Sequence, residues 1–424
     1  MSKERKKLAA TATSESPRSR LDVVKEWLSE NYEVRVNLLD RSKVSIRVKP
    51  GCSMKYEHPV TEEDILLHAY ADELPIPRTV LKMLLASPNQ MVSFNPIHDY
   101  LNGLRGKYKG PSQIDLLCGS LNLSDQHAGA RERARHILRK WLVATAACAL
   151  GYRQNDVALG LVGEMAGIGK TTLLENLVPA CLKEYYQVAQ RDDRAFPMQN
   201  SFAHRLLINF DEFAAITKSN EQTFKQLMSA TDVEIHRSGS RYVETVPRVA
   251  SCCFTSNCNH RNGGFISRPD GGLLRRLAVI EVDTIADYRG KFDVDQLWAE
   301  VMMHLDSGFD PTWTQEEYRQ FVDENRQYVK ETNALRLLRL YYRMPDSEQE
   351  GVFMTPMDIV LQLKEHRKMS SEQQRVSETT VGQALSVMGF QRHSKRIPGV
   401  DTPRYGYYIV PMFDSQLTSK QVDK

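Results

Sequence analysis

The chain has 424 residues, 41% hydrophobic and 26% charged, with a formal net charge of +3. This composition is typical of globular proteins and excludes collagen-like or largely disordered chains. The longest weakly polar stretch, Trp141 to Leu150, is far shorter than the ~20 residues needed to span a bilayer. The charge balance also argues against a uniformly basic nucleic-acid coat protein, although local basic surfaces stay open. Seven unevenly spaced cysteines, and no segment that resembles a signal peptide, favour a reducing, cytoplasmic setting.

The first 120 residues contain no motif that indicates chemistry. Residues 1–20 hold six Lys or Arg against two Glu, without apolar periodicity, and are predicted to be a disordered basic tail. Residues 21–120 are predicted to be an N-terminal α+β or helical module. It begins with a helix from Leu21 and two strands in EVRVNLL and KVSIRVKPG, followed by short helices separated by prolines over 61–104.

An α/β domain is predicted at residues 121–310. A long helix runs from near Asp125 to a stop at Gly151, and its apolar second half fits a core or an interface. Short apolar runs then alternate with helical stretches over 157–310, which predicts a mostly parallel sheet covered by helices. A helical connector is predicted at 311–351.

The stretch ALGLVGEMAGIGKTTLLENLVP, residues 158–179, is the most informative. It predicts a strand, a glycine-rich turn and a helix, the order of a P-loop whose backbone N–H groups bind phosphate. Lys170 would reach the β- and γ-phosphates of ATP, and the Thr171 hydroxyl would coordinate Mg²⁺. Glu164 stands where a glycine is usual, so the loop is expected to be remodelled; a turn that binds nothing is the alternative. The residues predicted to bind ATP are Gly167, Gly169, Lys170, Thr171 and Thr172.

A second nucleotide motif is predicted in RLLINFDEFAAI, where Leu206 to Phe210 forms a buried strand that ends in two carboxylates. Asp211 would hold Mg²⁺, directly or through water, and Glu212 would polarise the attacking water. A lone Asp-Glu pair is usually a solvated strand end. Its position after a P-loop favours the catalytic interpretation.

The segment VASCCFTSN predicts another buried strand, which ends at Asn257. Its side-chain amide could lie beside the γ-phosphate and orient water; a capping Asn at a turn is the alternative.

Arg275 and Arg276 precede one more apolar strand in GGLLRRLAVIEV. One of them could act as an arginine finger that stabilises transition-state charge in a neighbouring subunit's site. Two surface charges beside a strand are the alternative, and the sequence does not choose between the two arginines.

The segment VEIHRSGSRYVETVPR predicts a hairpin with a glycine turn. In a ring, such a hairpin would point into the channel and hold a single DNA strand through phosphate contacts and stacking. An exposed hairpin with ordinary surface charges is the alternative. The predicted DNA contacts are His236, Arg237, Arg241 and Tyr242, with Arg248 further along.

Residues 352–413 are predicted to be a winged-helix-like domain: two helices, the second capped at Ser377, then a strand, a loop and a strand. Residues 414–424 are predicted to be a disordered tail. The wing is basic, with interleaved tyrosines, and could bind duplex DNA; a protein-protein adaptor is the alternative. Its predicted DNA contacts are Arg392, Lys395, Arg396 and Arg404.

A zinc site at Cys252, Cys253, Cys258 and His260 is not expected, because the spacing fits no structural zinc pattern. Two of these thiols lie on a predicted buried strand, where cysteine packs as a small hydrophobe.

Together, GEMAGIGKTT, LLINFDEF, HRSGSRYVETVPR, CCFTSN and GGLLRR resemble the virulence-associated protein E family, a P-loop group related to superfamily 3 helicases and found in bacterial mobile elements. The resemblance covers residues 95–285 and implies an AAA+-like ATPase core that assembles as a ring, expected to be a hexamer, and acts in replication. It assigns ATP and Mg²⁺ to the residues named above. Two departures are Glu164 and the pair Leu273-Leu274, where the family brings a glycine closer to the arginines. The segment before the core is too short for a primase domain, so a separate primase or replication partner is expected.

Three hypotheses of function follow. The first is an ATP-dependent DNA helicase or translocase. The second is a DNA-stimulated ATPase switch that loads or regulates a transposition or replication partner without unwinding. The third, a structural DNA-binding protein with an inactive P-loop, conflicts with the intact Lys170, Asp211 and Glu212.

Overall fold

In the computed structural model the chain divides into two compact units, Met1–Asp99 and Tyr100–Lys424. Both combine helices with sheets, so the mixed α/β class is confirmed. The finer domain boundaries stay predictions. No helix within the described ranges is long and apolar enough to cross a membrane. The structure describes residues 19–41, 43–125, 127–189, 198–213, 216, 220–236, 242–267, 271–290, 292–346, 350–366, 376–396 and 403–412.

The first unit is a three-stranded sheet with helices. The predicted helix from Leu21 and the two predicted strands are confirmed, and the short parallel strand β3 is an addition. Two helices begin at side-chain caps, Ser19 and Thr61, which satisfy backbone N–H groups of the first turn. The elements are α1 (Arg20–Asn31), β1 (Tyr32–Asn37), β2 (Val44–Val48), α2 (Glu62–Ala71), α3 (Arg78–Leu85), β3 (Val92–Phe94) and α4 (Pro96–Gly103), which extends past the unit boundary.

The second unit contains a six-stranded sheet, a hairpin and a C-terminal group of helices and strands. Short 3₁₀ helices lie at Ala180–Tyr185, Asp211–Phe213 and Arg326–Tyr328. Its helices are α5 (Gln113–Ser120), α6 (Ala130–Ala149), α7 (Lys170–Asn176), α8 (Met198–His204), α9 (Glu221–Ser229), α10 (Gly271–Leu274), α11 (Val294–Asp306), α12 (Gln315–Asn325), α13 (Asn333–Tyr341), α14 (Pro356–His366) and α15 (Glu378–Val387). Its strands are β4 (Leu121–Leu123), β5 (Ala158–Val162), β6 (Tyr186–Val188), β7 (Leu207–Phe210), β8 (Asp232–His236), β9 (Val243–Pro247), β10 (Ser251–Ser256), β11 (Leu277–Ile285), β12 (Tyr342–Arg343), β13 (Val352–Met354), β14 (His393–Lys395) and β15 (Arg404–Pro411).

The six-stranded sheet has the order β4-β11-β5-β10-β7-β6. Only the edge strand β4 is antiparallel to its neighbour; the other pairs are parallel. Strands β5, β7 and β10 are buried along their whole length, as expected for a parallel sheet covered on both faces. The predicted mostly parallel sheet is therefore confirmed. Its order places β10 between β5 and β7, although β10 comes last of the three in the sequence.

The long helix α6 packs against α5, α11 and the strands β5 and β10. It begins at Ala130, because Gly129 adopts a φ of 99° that breaks the helix there, rather than near Asp125. Its second half is buried, with Trp141 only 1% exposed, so the predicted core position is confirmed. Glu300, in α11, accepts a hydrogen bond from the backbone N–H of Gln113 at 2.6 Å. This bond satisfies a backbone N–H group in the first turn of α5.

The C-terminal segment contains the two predicted helices, α14 and α15, and the predicted pair of strands, β14 and β15. The predicted cap is confirmed, because Ser377 and Thr380 form a capping box. Strand β15 pairs with β12, β13 and β14, and α15 packs against both α13 and α14. Strand β13 is an addition inside the predicted segment, and α13 and β12, which precede it, pack against α15 and β15.

Candidate active site

The loop between β5 and α7, residues 163–169, surrounds the side chain of Lys170. A Cβ atom on Gly163 would lie 2.1 Å from the carbonyl oxygen of Val282, so the chain passes here only with glycine. Gly169 precedes the helix with a φ of 92°, a left-handed conformation that favours glycine. These two positions let the loop turn tightly around one cation.

Lys170 is 5% exposed and its ammonium group is fully hydrogen-bonded. Nζ donates to the carbonyls of Gly163 (3.1 Å) and Met165 (2.8 Å), and to Oδ1 of Asn257 (2.7 Å). Burial lowers the pKa of Lys170, while the carboxylates of Glu212 and Asp211 act in the opposite direction. The loop therefore holds a desolvated ammonium group close to two acidic residues.

Asp211 joins the first turn of α7 to strand β10. Its Oδ1 accepts hydrogen bonds from the hydroxyls of Thr171 (2.9 Å) and Thr255 (2.6 Å). Among the described residues, no donor contacts Oδ2. Two hydroxyls thus fix the orientation of a carboxylate that keeps one oxygen for another ligand.

Glu212 is held by strand β10. The side-chain amide of Asn257 donates to its Oε1, and the Asn257 backbone N–H lies 3.3 Å from its Oε2. The Glu212 backbone N–H donates to the Thr255 hydroxyl at 3.2 Å. Both carboxylate oxygens therefore face the same residue of the neighbouring strand end.

The backbone at Glu212 is strained. Its φ is 54° and that of Phe213 is 51°, values that cost non-glycine residues on the order of 1–3 kcal/mol. The Phe213 ring packs edge-on against Phe254 and Phe265, with centroids 4.9 and 5.3 Å away. The buried aromatic cluster keeps the chain in this turn, which presents the carboxylate of Glu212 to Asn257.

The sheet order thus gathers five predicted residues, Lys170, Thr171, Asp211, Glu212 and Asn257, at the carboxyl ends of three parallel strands. Gly167 and Thr172 lie exposed in the same loop and in the first turn of α7. The sequence prediction missed Thr255. Its hydroxyl two positions before Asn257, at the end of the same apolar run, is the signal that could have identified it.

Arg275 and Arg276 lie at the amino ends of the parallel strands, opposite the carboxyl ends where Lys170 lies. The carbonyl of Arg276 accepts from the N–H of Ala158, the first residue of β5, at 2.7 Å. Arg276 is 6% exposed and donates to the carbonyl of Gly272 and to the Ser229 hydroxyl. The structure therefore does not bring these arginines to Lys170 of the same chain.

Arg275 differs from its neighbour. It is half-buried, and its guanidinium carbon lies 5.6 Å from the centroid of the Tyr318 ring. The Tyr318 hydroxyl in turn donates to the carboxylate of Asp156, at 3.0 and 2.9 Å from its two oxygens. Arg275 is thus supported on a tyrosine whose own position is fixed.

The predicted hairpin is formed by β8 and β9. Val233 and Ile235 are buried beneath it, while His236 and Tyr242 are exposed, Tyr242 by 80%. Arg237 and Arg241 lie outside the described residues.

Arg248 does not belong to the exposed face of the hairpin. It is 2% exposed and donates to the carbonyls of Met228 (2.5 Å) and Asn155 (2.6 Å). Its interpretation as a DNA contact is wrong, because the guanidinium group bridges buried backbone.

The predicted wing contacts Arg392, Lys395, Arg396 and Arg404 are exposed on and beside β14 and β15. The guanidinium of Arg392 lies 4.3 Å from the centroid of Tyr405, and Lys395 lies 5.5 Å from that of Phe353. Cations therefore alternate with aromatic rings along this sheet. Residues 397–402, which would form the tip of the wing, lie outside the described ranges.

Cys252 and Cys253 are fully buried in β10. Burial raises the pKa of Cys252 to about 12 and that of Cys253 well above its usual range. Within the described part of the chain, no group of three or more His, Cys, Asp or Glu side chains could hold a metal ion. These thiols pack as apolar side chains.

The chain was compared with protein families, with curated proteins and with solved structures. No curated protein sequence matches the chain. Two apo A-form structures of the NrS-1 C-terminal region are similar to this chain. Each alignment covers 93% of this chain and 100% of the other, at 12% sequence identity and TM-scores of 0.43 and 0.44. The sequence profile of the virulence-associated protein E-like domain matches residues 114–331, which is 218 of 424 residues. The chain therefore belongs to the virulence-associated protein E-like family.

Proposed function

We propose that the chain is a P-loop ATPase that translocates on DNA during replication of a mobile genetic element. The observation that carries this proposal is the hydrogen-bonded set Lys170, Asn257 and Glu212, beside Thr171 and Asp211. A buried cation, an oriented carboxylate and a bridging amide meet at the ends of three adjacent strands. This is the arrangement that transfer of a phosphoryl group to water requires.

Each residue has a distinct role in this proposal. Lys170 exchanges its contacts with the Gly163 and Met165 carbonyls for the phosphate oxygens of ATP and offsets their charge. Glu212 accepts a proton from the attacking water, and Asn257 keeps the carboxylate aimed at it. Because Asn257 contacts both Lys170 and Glu212, it also senses the γ-phosphate.

The oxygen atoms at Thr171 and Asp211 fit Mg²⁺. One hydroxyl and one carboxylate lie within 2.9 Å of each other, and Mg²⁺ prefers few carboxylates together with phosphate oxygens and water. Mg²⁺ supplies charge neutralisation at the phosphates when bound. Thr171 and Asp211 would hold it, and the Thr255 hydroxyl would keep the Asp211 carboxylate in place.

Arg275 is the proposed arginine finger, acting on a neighbouring subunit of a ring. The two arginines lie at the amino ends of the parallel strands, whereas Lys170 lies at the carboxyl ends. Neither arginine therefore completes the site of its own chain. Arg276 is buried and hydrogen-bonded to Gly272 and Ser229, whereas Arg275 is half-exposed. Hydrolysis would therefore depend on assembly, as in a ring ATPase.

The DNA contacts are proposed at the hairpin and at the C-terminal segment. Tyr242 and His236 flank the hairpin tip and suit stacking and phosphate contact with a single strand. The order α13, β12, β13, α14, α15, β14, β15 is that of a winged helix with the two-residue strand β12 added, and cation and aromatic pairs lie on its last two strands. The proposed winged helix would contact duplex DNA.

Hydrolysis and strand displacement of a forked DNA, measured side by side, test the proposal. The wild type is expected to hydrolyse ATP faster with DNA and to separate the strands, whereas Lys170→Ala does neither. Lys183→Ala is the matched control, because Lys183 lies close in sequence and, among the described residues, donates to Glu175 and Asn176 rather than to the site. DNA-stimulated hydrolysis without strand separation would contradict the translocase and support the ATPase switch. Absence of hydrolysis with any DNA would overturn both.

A further inference from the structure

The residue that departs from the usual P-loop pattern, Glu164, is tied to the strand end that carries Asn257. Oε1 of Glu164 accepts a hydrogen bond from the side-chain amide of Asn259 at 3.1 Å. The same amide nitrogen donates to Oε1 of Glu281 at 2.8 Å. Glu281 pairs in register with Val162, the last residue of β5. One side-chain amide thus links the loop of residues 163–169 to β11, beside the end of β5.

Asn259 is 1% exposed, and its other polar atoms are also used. Its Oδ1 accepts from the backbone N–H groups of Arg261 (2.9 Å) and Asn262 (3.3 Å). Its own N–H donates to Oδ1 of Asn262 at 2.6 Å, and the Asn262 amide donates to the carbonyl of Asn257 at 2.9 Å. The segment from Asn257 to Asn262 is therefore a closed polar turn anchored on one buried side chain.

Glu281, the second acceptor, is itself fixed. Its Oε2 accepts from the Tyr328 hydroxyl at 2.9 Å and lies 3.4 Å from Nδ1 of His260. Because Glu281 is held on both oxygens, it fixes Asn259, and Asn259 can transmit that position to Glu164. A buried amide with two carboxylate partners is costly to leave unpaired, so the arrangement resists small displacements.

We propose that Asn259 and Glu164 are positioning residues. They hold the loop of residues 163–169 in a fixed position relative to the segment that carries Asn257. This inference rests on the proposed ATPase function. Asn257 contacts both Lys170 and Glu212, so a shift of the loop relative to Asn257 disturbs the alignment of the reacting groups. Binding of the phosphates depends on the loop, Lys170 and the Mg²⁺ that Thr171 and Asp211 would hold, so it changes less. The glycine usual at position 164 could not make this contact.

The test uses four variants and two readouts. Asn259→Ala and Glu164→Ala each remove one side of the contact, Glu164→Gln keeps an acceptor oxygen, and the double variant combines both alanines. Each alanine variant is expected to lower kcat about ten-fold with KM for ATP changed less than about three-fold, since small misplacements cost chemistry more than binding. Glu164→Gln stays within about two-fold of the wild type. The double variant resembles Asn259→Ala, because that substitution already removes the contact with Glu164.

Amide hydrogen exchange provides the second readout, and it does not require hydrolysis. Exchange of residues 163–169 is expected to accelerate about ten-fold in the two alanine variants and to stay unchanged in Glu164→Gln. The Glu164 side chain is 45% exposed, so its variants are expected to fold even if Asn259→Ala does not. Wild-type kcat and exchange in Glu164→Ala, or equal damage in Glu164→Gln, would overturn the inference. If the wild type hydrolyses no ATP, the proposed function fails, and exchange alone decides the positioning role.

Discussion

The ammonium group of Lys170 lies 2.7 Å from the side-chain oxygen of Asn257, a residue 87 positions further along the chain. The same Asn257 amide donates to the carboxylate of Glu212. The contact exists because β10, which ends at Ser256 just before Asn257, is inserted between β5 and β7. The cation and the carboxylate are therefore coupled through one neutral side chain rather than paired directly.

Replacement of Asn257 should impair chemistry more than binding. Asn257→Ala leaves the Lys170 ammonium and the Glu212 carboxylate without their common partner, and kcat is expected to fall on the order of 10²-fold. Asn257→Asp should be at least as damaging, because it places a third carboxylate beside Asp211 and Glu212. Steady-state hydrolysis and equilibrium binding of ATP separate the two effects. A large loss of ATP affinity with an unchanged kcat would contradict the assigned role.

Arg275 and Arg276 should give opposite phenotypes. Arg275→Ala is expected to abolish hydrolysis while the thermal midpoint stays within about 2 °C, since its side chain is half-exposed. Arg276→Ala is expected to destabilise the protein by about 1–3 kcal/mol, because a side chain only 6% exposed loses its packing and its bonds to Gly272 and Ser229. Thermal unfolding and steady-state hydrolysis of both variants measure the contrast.

Mixing two inactive variants tests whether Arg275 acts between subunits. In a mixture of Lys170→Ala and Arg275→Ala, some interfaces combine an intact Lys170 with an intact Arg275 of the neighbour. Hydrolysis should therefore reappear on mixing. A mixture as inactive as its components, under conditions where mixed assembly is verified, would rule out action between subunits.

Glu317 should control acid stability. Burial alone would raise the pKa of Glu317, but hydrogen bonds from His136, Lys140 and Thr314 lower it overall to about 2. The depressed pKa means that Glu317 stabilises the fold above about pH 4.5 and that this stabilisation is lost as the pH falls towards 2. Glu317→Gln should cost about 2–3 kcal/mol at pH 7.

Denaturant unfolding between pH 7 and 2 measures this effect. The difference between the wild type and Glu317→Gln should narrow as the pH falls below about 5. Glu324→Gln on the same helix is the control, since its pair with Arg133 is exposed and worth little. A gap that is constant with pH would show that the carboxylate of Glu317 is not the titrating group.

Arg392 and Tyr242 should report on two kinds of DNA contact. Arg392→Ala is expected to weaken duplex binding and to reduce the slope of log affinity against log salt by about one, as loss of a phosphate contact does. Tyr242→Ala is expected to weaken single-strand binding by about 1–3 kcal/mol through loss of stacking. Binding titrations at several salt concentrations separate the two. Arg289→Ala, an equally exposed arginine paired with Asp287, should change neither and controls for net charge.

The residues of the site could be predicted where the sequence places a polar side chain directly after an apolar run. Asp211 and Asn257 each directly follow a buried strand, and parallel strands present their carboxyl ends at one edge of a sheet. Lys170 follows β5 after a glycine-rich loop, which identified it by its P-loop pattern. The alternation of apolar residues in β8 predicted the hairpin in the same way. Local patterns therefore sufficed for the parts of the site that local structure fixes.

The remaining features depend on contacts between distant segments. Arg275 and Arg276 are chemically identical neighbours, and contacts with residues far away in sequence distinguish them. Arg276 is buried and donates to Ser229, whereas Arg275 is half-exposed and packs on the ring of Tyr318. The sequence places Arg248 among the cations of the hairpin. The structure shows that it donates instead to the backbone carbonyls of Met228 and Asn155. No periodicity encodes such pairings.

Phosphate release from ATP by Glu212→Gln, measured beside ATP binding by the same variant, tests the proposed ATPase most directly. The substituted amide side chain would keep the hydrogen bond from Asn257 but could not accept a proton from water. The wild type should release phosphate, and Glu212→Gln should bind ATP as tightly yet release phosphate at least about 10²-fold more slowly. Hydrolysis by Glu212→Gln at the wild-type rate, with Lys170→Ala also active, would contradict the assignment of this site.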